Sequence, residues 1–195
     1  WTFAAADYLH NGQSEQLVQL TKNAINPILK ATLGKDEGAN SLKKLFTTLE
    51  TITSNMQTCR GLPITQEDDV FKLKQSIESS SADIIPPLVP VIKEIERSFS
   101  NFSADANTIN GLHAAKWCYK NRMYQQAITI LQETIVTMVC EKTNLPIEND
   151  KTRGLVNSAF YIVFNKKQHD EDSWSLNYES RDEAIKIVRE LIQLP

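Results

Sequence analysis

No segment of this chain strings together the roughly 18 apolar residues that a membrane-crossing helix requires, and its start carries no signal-peptide pattern. Cysteine is scarce and odd in number: Cys59, Cys118 and Cys140 form no metal-binding spacing. That usage suits free thiols in a reducing compartment better than a disulfide framework, so a cytoplasmic location and no membrane contact are expected. Six glycines and seven prolines argue against a disordered or collagen-like chain. Positive charge is not in excess either: the formal net charge is -3 and no block of lysine and arginine occurs. Stable binding of DNA or another polyanion is therefore not expected.

Particular chemistries are also missing their residues. His10, His113 and His169 stand far apart, outside any HExxH or Cys-x-x-Cys pattern, so neither a metal nor another cofactor is expected in this chain. Gly34-Lys35-Asp36-Glu37-Gly38 lacks the spacing and terminal lysine of a phosphate loop. Asp68 and Asp69 are adjacent and point apart on a helix, while Asp170, Glu171 and Asp172 read as a wet surface run.

What is present is helical periodicity. At 195 residues with 41% hydrophobic content the chain can bury one substantial core. The expected fold is an all-α helical bundle without substantial sheet, built from eight or nine helical pieces. Trp1 to Leu9 opens it and ends at the Asn11-Gly12 turn signal. Ser14 is placed to cap a second helix, in which Pro27 predicts a kink or break. After a connection over Leu33 to Asn40, Ser41 is the expected cap of a third helix with the stripe Leu42, Leu45, Phe46, Leu49, Ile52 and Met56. Thr65-Gln-Glu-Asp suggests a capped helix over Glu67 to Ser79. Ser79-Ser80-Ser81 is the most linker-like point, which makes 1–80 and 81–195 the natural subdomains of a single domain spanning 1–195. A helix entered at Pro87 and bent near Pro90 should follow, and Ser103 or Asp105 should cap the next.

The strongest pattern lies at Leu112 to Cys140, two helices meeting at Asn121 to Tyr124. Its second half carries Tyr124, Ala127, Ile128, Leu131, Ile135, Met138 and Val139, with Gln125, Gln126, Thr129, Gln132 and Glu133 between them. One apolar stripe is therefore expected to be buried and to form the packing centre. Beyond the turn at Asn144 to Ile147, helices are expected over Lys151 to Phe164 and Glu179 to Leu194, separated by a charged stretch containing Trp174 and Tyr178.

The grouping with most chemical interest is Arg153, Asn157 and a histidine, His113 or His169. Arg153 and Asn157 are four apart and share a helix face. Arginine holds phosphate through two donors, asparagine orients it, and histidine moves a proton near neutral pH. Together they are able to drive a ribose 2′-hydroxyl onto its adjacent phosphate without a metal. The plainer reading pairs Arg153 with Glu148 or Asp150. Separately, Tyr119, Tyr124 and Ala127-Ile128 suggest one tetratricopeptide-like hairpin, with no second unit at a 34-residue interval.

Asp7-Tyr8-Leu9-His10-Asn11-Gly12 with Glu15-Gln16-Leu17, then Ala115 to Tyr119 and Tyr124 to Glu133, resemble the helical domain of CRISPR-associated proteins of the TM1812 group. The resemblance implies a HEPN-like effector domain that forms a homodimer and cleaves single-stranded RNA. It also implies an upstream Rossmann-like sensor, outside this chain, that binds a cyclic oligoadenylate activator. The family's ribonuclease motif places a histidine after four to six residues that follow its arginine. From Arg153 those positions are Ser158, Ala159 and Phe160, none of them histidine, so only Arg153 and the polar Asn157 carry over. His169 lies beyond the pattern. The motif is incomplete, which leaves a noncatalytic interaction or dimerisation module and a tetratricopeptide-like peptide binder as alternatives.

Overall fold

Ten residues of the long helix Glu37–Gln57 are buried, and the helices around it pack onto their side chains. The computed structural model describes residues 1–79 and 85–164. By its contacts the chain divides into two compact units, residues 1–131 and 132–195. Among the described residues every regular element is helical: α1 (Thr2–Asn11), α2 (Glu15–Ala31), α3 (Glu37–Gln57), α4 (Gly61–Gln66), α5 (Asp69–Glu78), α6 (Val89–Phe99), α7 (Ile109–Lys120), α8 (Tyr124–Thr143) and α9 (Asp150–Phe164). A 3₁₀ turn over Pro86–Leu88 leads into α6. The chain is thus an all-α helical bundle, with no sheet among the described residues. None of these helices is long and apolar enough to cross a membrane.

In the first unit α3 packs against α2, α4, α5 and α7. Its stripe Leu42, Leu45, Phe46, Leu49, Ile52 and Met56 is buried as its spacing predicts. The packing centre is therefore α3 and not the α7–α8 hairpin. Length explains why: 21 residues present about six turns of one face to several neighbours at once.

Helix starts depart from the sequence reading where side chains find better partners. Ser14 stands at the start of α2, but its hydroxyl makes no cap and lies 2.6 Å from that of Thr53, buried against α3. Asp36, not Ser41, caps α3, its Oδ1 accepting from the Ala39 N–H at 2.7 Å. Thr65 belongs to α4 and donates to the Gly61 carbonyl, so α5 begins later, at Asp69. Before α7 neither Ser103 nor Asp105 acts as the cap. Asn107 Oδ1 accepts from the Ile109 N–H, while buried Asn110 ties down the loop by bonding both the N–H and the carbonyl of Ser103.

The prolines cost less regularity than expected. Pro27 does not break α2: both it and Asn23, whose carbonyl loses its intrahelical donor, are exposed, and water can replace that bond. Pro90 sits in the first turn of α6, where a missing N–H breaks no bond.

The largest departure concerns α8. Ala127 and Ile130 are buried in the first unit's core, whereas Tyr124, Ile128 and Leu131 from the expected stripe are exposed, as are Ile135 and Met138 further along. Threonines explain the inversion. Thr137 donates its hydroxyl to the Glu133 carbonyl at 3.0 Å and Thr143 donates to Val139 at 2.7 Å. A hydroxyl satisfied one turn back lets the side chain pack much as valine does. Thr21 and Thr53 do the same in the first core, bonding the carbonyls of Leu17 and Leu49.

The described part of the second unit is the end of α8, a turn and α9. Val136, Val139 and Cys140 pack with Leu155, Val156 and Ala159. Asn144, at φ 57°, reverses the chain after α8, and the Leu145 N–H returns to the Cys140 carbonyl. Asn149 Oδ1 accepts from the Lys151 and Thr152 N–H groups and caps α9. The helix expected over Glu179 to Leu194, with Trp174, Tyr178 and His169, lies outside the described residues, as does most of the serine linker.

Candidate functional site

Arg153 lies in the first turn of α9, and its guanidinium is occupied by its own unit. Nη2 donates to Glu133 Oε2 at 2.6 Å and to the Glu133 carbonyl at 3.2 Å. Nη1 donates to Thr137 Oγ1 at 3.1 Å and to the Ile147 carbonyl at 3.0 Å. The carboxylate partner is therefore Glu133 on α8, rather than the neighbouring Glu148 or Asp150. The arginine side chain is only 14% exposed, so the pair sits at the edge of water. Burial pushes the nearby Cys140 thiol up, and the Arg153 charge partly offsets that rise.

Asn157 follows one turn along α9 and is exposed. Residues 132–164 contain no histidine. His113 belongs to the first unit, its ring 5.5 Å from that of Phe102, and His169 lies outside the described residues. The structure thus brings Arg153 into contact with Glu133, Thr137 and Ile147, and describes no histidine beside it. A phosphate could reach this guanidinium only by displacing Glu133 or adding to the exposed edge of the pair. No group of three or more His, Cys, Asp or Glu side chains suitable for a metal occurs among the described residues.

A second feature was hidden in the apolar stripe. On α8, Tyr124 is 54% exposed, Ile128 59%, Leu131 40%, Ile135 38% and Met138 40%. Their separations alternate between four and three residues, the a/d spacing of a helix-pairing seam. Tyr119, at the end of α7, is also exposed and packs edge-on against Tyr124 with ring centroids 5.4 Å apart. Gln125, Ala127, Gln132 and Thr134 flank the seam and carry no charge. The heptad spacing was legible in the sequence; its outward direction was not.

No family model, curated protein or solved structure matches this chain.

Proposed function

We propose that this chain is a helical interaction module that pairs with a second copy of itself through the exposed face of α8. The observation that carries the reading is the alternating four-and-three spacing of five exposed apolar side chains on one helix. Scattered apolar residues need no explanation, but a contiguous stripe in register is a docking surface. Identical copies are the favoured occupant. A/d seams are self-complementary, and the uncharged flanks neither select an oppositely charged helix nor repel a like one. The seam runs about 21 Å along the helix. Its two heptads fall short of the three to four that sustain an independent coiled coil, so pairing is weak and concentration-dependent.

Sedimentation equilibrium tests this with the full chain. A monomer–dimer equilibrium that Ile128→Glu abolishes, with thermal stability unchanged, is the expected result. A monomer at every concentration, destabilised by Ile128→Glu, would instead mean that this face is covered by another part of the same chain.

The second reading is a HEPN-like RNA-cleaving effector, and the α8 seam favours it because a two-fold dimer is what that resemblance implies. It requires Arg153 to exchange Glu133 for phosphate and a histidine such as His169 to supply the proton transfer. Cleavage of single-stranded RNA with and without cyclic oligoadenylate, by the protein carrying its sensor domain, separates it from the first reading. Arg153→Ala and His169→Ala should each abolish messenger-dependent product. Unchanged rates in both would remove these residues from the chemistry.

A further inference from the structure

A cleft of about 380 Å³ opens in the first unit among α1, α6 and α7 and the segment after α6. Its charge is unlike that of the chain. Arg97, Lys116 and Lys120 line it against a single acidic residue, Glu94, leaving two positive charges in a protein whose net charge is -3. Glu94 is already paired with Arg97 at 2.7 Å. Lys116 and Lys120 form no ion pair with any described residue, and one turn apart on α7 they repel each other. Phe102 and Trp117 add an apolar wall.

Tyr8 supplies an independent observation. It lines the same cleft, is 3% exposed, and its hydroxyl has no hydrogen-bond partner. A buried polar group in that condition costs stability and calls for an explanation. Burial, reinforced by Glu94, holds the phenol protonated, so its O–H stays available as a donor.

We infer that this cleft binds a small phosphate monoester, with Lys116 and Lys120 holding the phosphate and the Tyr8 hydroxyl donating to an acceptor on the ligand. The surplus of two positive charges matches a phosphate dianion. The concave form suits a small molecule better than an extended polyanion, for which the chain offers no basic track. Aromatic side chains beside the cations favour an ester with a flat or apolar body over bare phosphate.

Calorimetric titration of the full chain with AMP as probe, and with adenosine and inorganic phosphate as comparisons, tests the assignment. AMP should bind at one site, at least about tenfold more tightly than adenosine, since the phosphate carries the charge-assisted bonds. Joint Lys116→Ala and Lys120→Ala substitution should weaken AMP by about tenfold or more. Tyr8→Phe should weaken it several-fold while the melting temperature holds or rises, because the variant removes an unsatisfied buried hydroxyl. A structural tyrosine would show the opposite pair of effects. The inference is overturned if neither AMP nor phosphate gives saturable binding at millimolar concentration, if adenosine equals AMP, or if the lysine or tyrosine variants bind AMP unchanged. None of these outcomes depends on whether α8 pairs.

Discussion

Arg153 Nη2 lies 2.6 Å from Glu133 Oε2 and also bonds the Glu133 carbonyl, so one side chain of α9 grips both the backbone and the side chain of α8. That carbonyl receives the Thr137 hydroxyl as well, and the same hydroxyl oxygen accepts from Arg153 Nη1. The arginine is therefore a brace for the second unit. Arg153→Ala should lower its stability by about 2 kcal/mol, because several part-buried acceptors lose their donor together. Glu133→Ala should cost less, about 1 kcal/mol, since its side chain is 44% exposed and the ion pair is screened. Urea unfolding followed by circular dichroism measures both. If Arg153→Ala leaves stability unchanged, the guanidinium is available for another task.

Two glycines share a left-handed backbone and differ in surroundings, which separates two costs. Gly12 ends α1 at φ 68°, and a Cβ there would lie 2.6 Å from Trp117 Cη2. Gly34 follows α2 at φ 76° with nothing within 4 Å of the same position. Gly34→Ala should cost about 1 kcal/mol for the backbone alone. Gly12→Ala should cost about 3 kcal/mol, because the indole ring or the α1 terminus must also move. Equal losses in thermal unfolding would show that the ring gives way freely.

The helical class, the α3 stripe and the break between α7 and α8 were legible because each follows from short-range periodicity and turn chemistry. The burial of Thr21, Thr53 and Thr137 was not, because a hydroxyl counted as polar satisfies itself on its own helix and packs as an apolar group. On α8 the buried side includes Ile130, Thr134 and Thr137, none of which belonged to the expected stripe. Ser14 missed its cap for a different reason: Thr53, 39 residues away, competes for its hydroxyl. Arg153 was similarly out of reach, since local spacing offered Glu148 and Asp150 while the fold supplied Glu133 from another helix. The basic cleft escaped notice because its cations are spread over Arg97, Lys116 and Lys120, never as a run.

Alkaline pH should destabilise the first unit. Burial, with a smaller contribution from Cys59, pushes the Cys118 thiol from its ordinary 9.0 up to about 12. Below pH 9 the thiol is protonated in both folded and unfolded chains, and its contribution is fully present. Between about pH 9 and 12 the unfolded chain ionises first, so stability falls as pH rises and is lost through the folded value. Burial, followed by Glu94, raises Tyr8 in the same direction. Urea midpoints at pH 7, 9 and 10.5 should decline in that order, and Cys118→Ala should flatten part of the decline. A pH-independent midpoint would mean that water reaches Cys118. Thiol labelling at pH 8 should correspondingly be fast at half-buried Cys59 and slow at Cys118 and Cys140 until the chain unfolds.

Pairing through α8 also makes a prediction about orientation. The exposed series Tyr124, Ile128, Leu131, Ile135 and Met138 is centred on Leu131. Two helices crossing at that centre bring Leu131 opposite its counterpart whether they run parallel or antiparallel. The ends behave differently: parallel helices oppose Tyr124 to Tyr124, and antiparallel helices oppose Tyr124 to Met138. In a Cys59→Ser background, Leu131→Cys should therefore oxidise to a covalent dimer in either arrangement. Tyr124→Cys alone should do so only if the helices are parallel, and mixed Tyr124→Cys and Met138→Cys chains should cross-link only if they are antiparallel. Cα atoms must approach within about 7 Å for a disulfide, so random collision is a poor substitute for a held interface. Non-reducing electrophoresis over a range of protein concentrations reads the result. If Leu131→Cys gives no dimer, or if Gln125→Cys cross-links equally well, the seam is not the surface on which two copies meet.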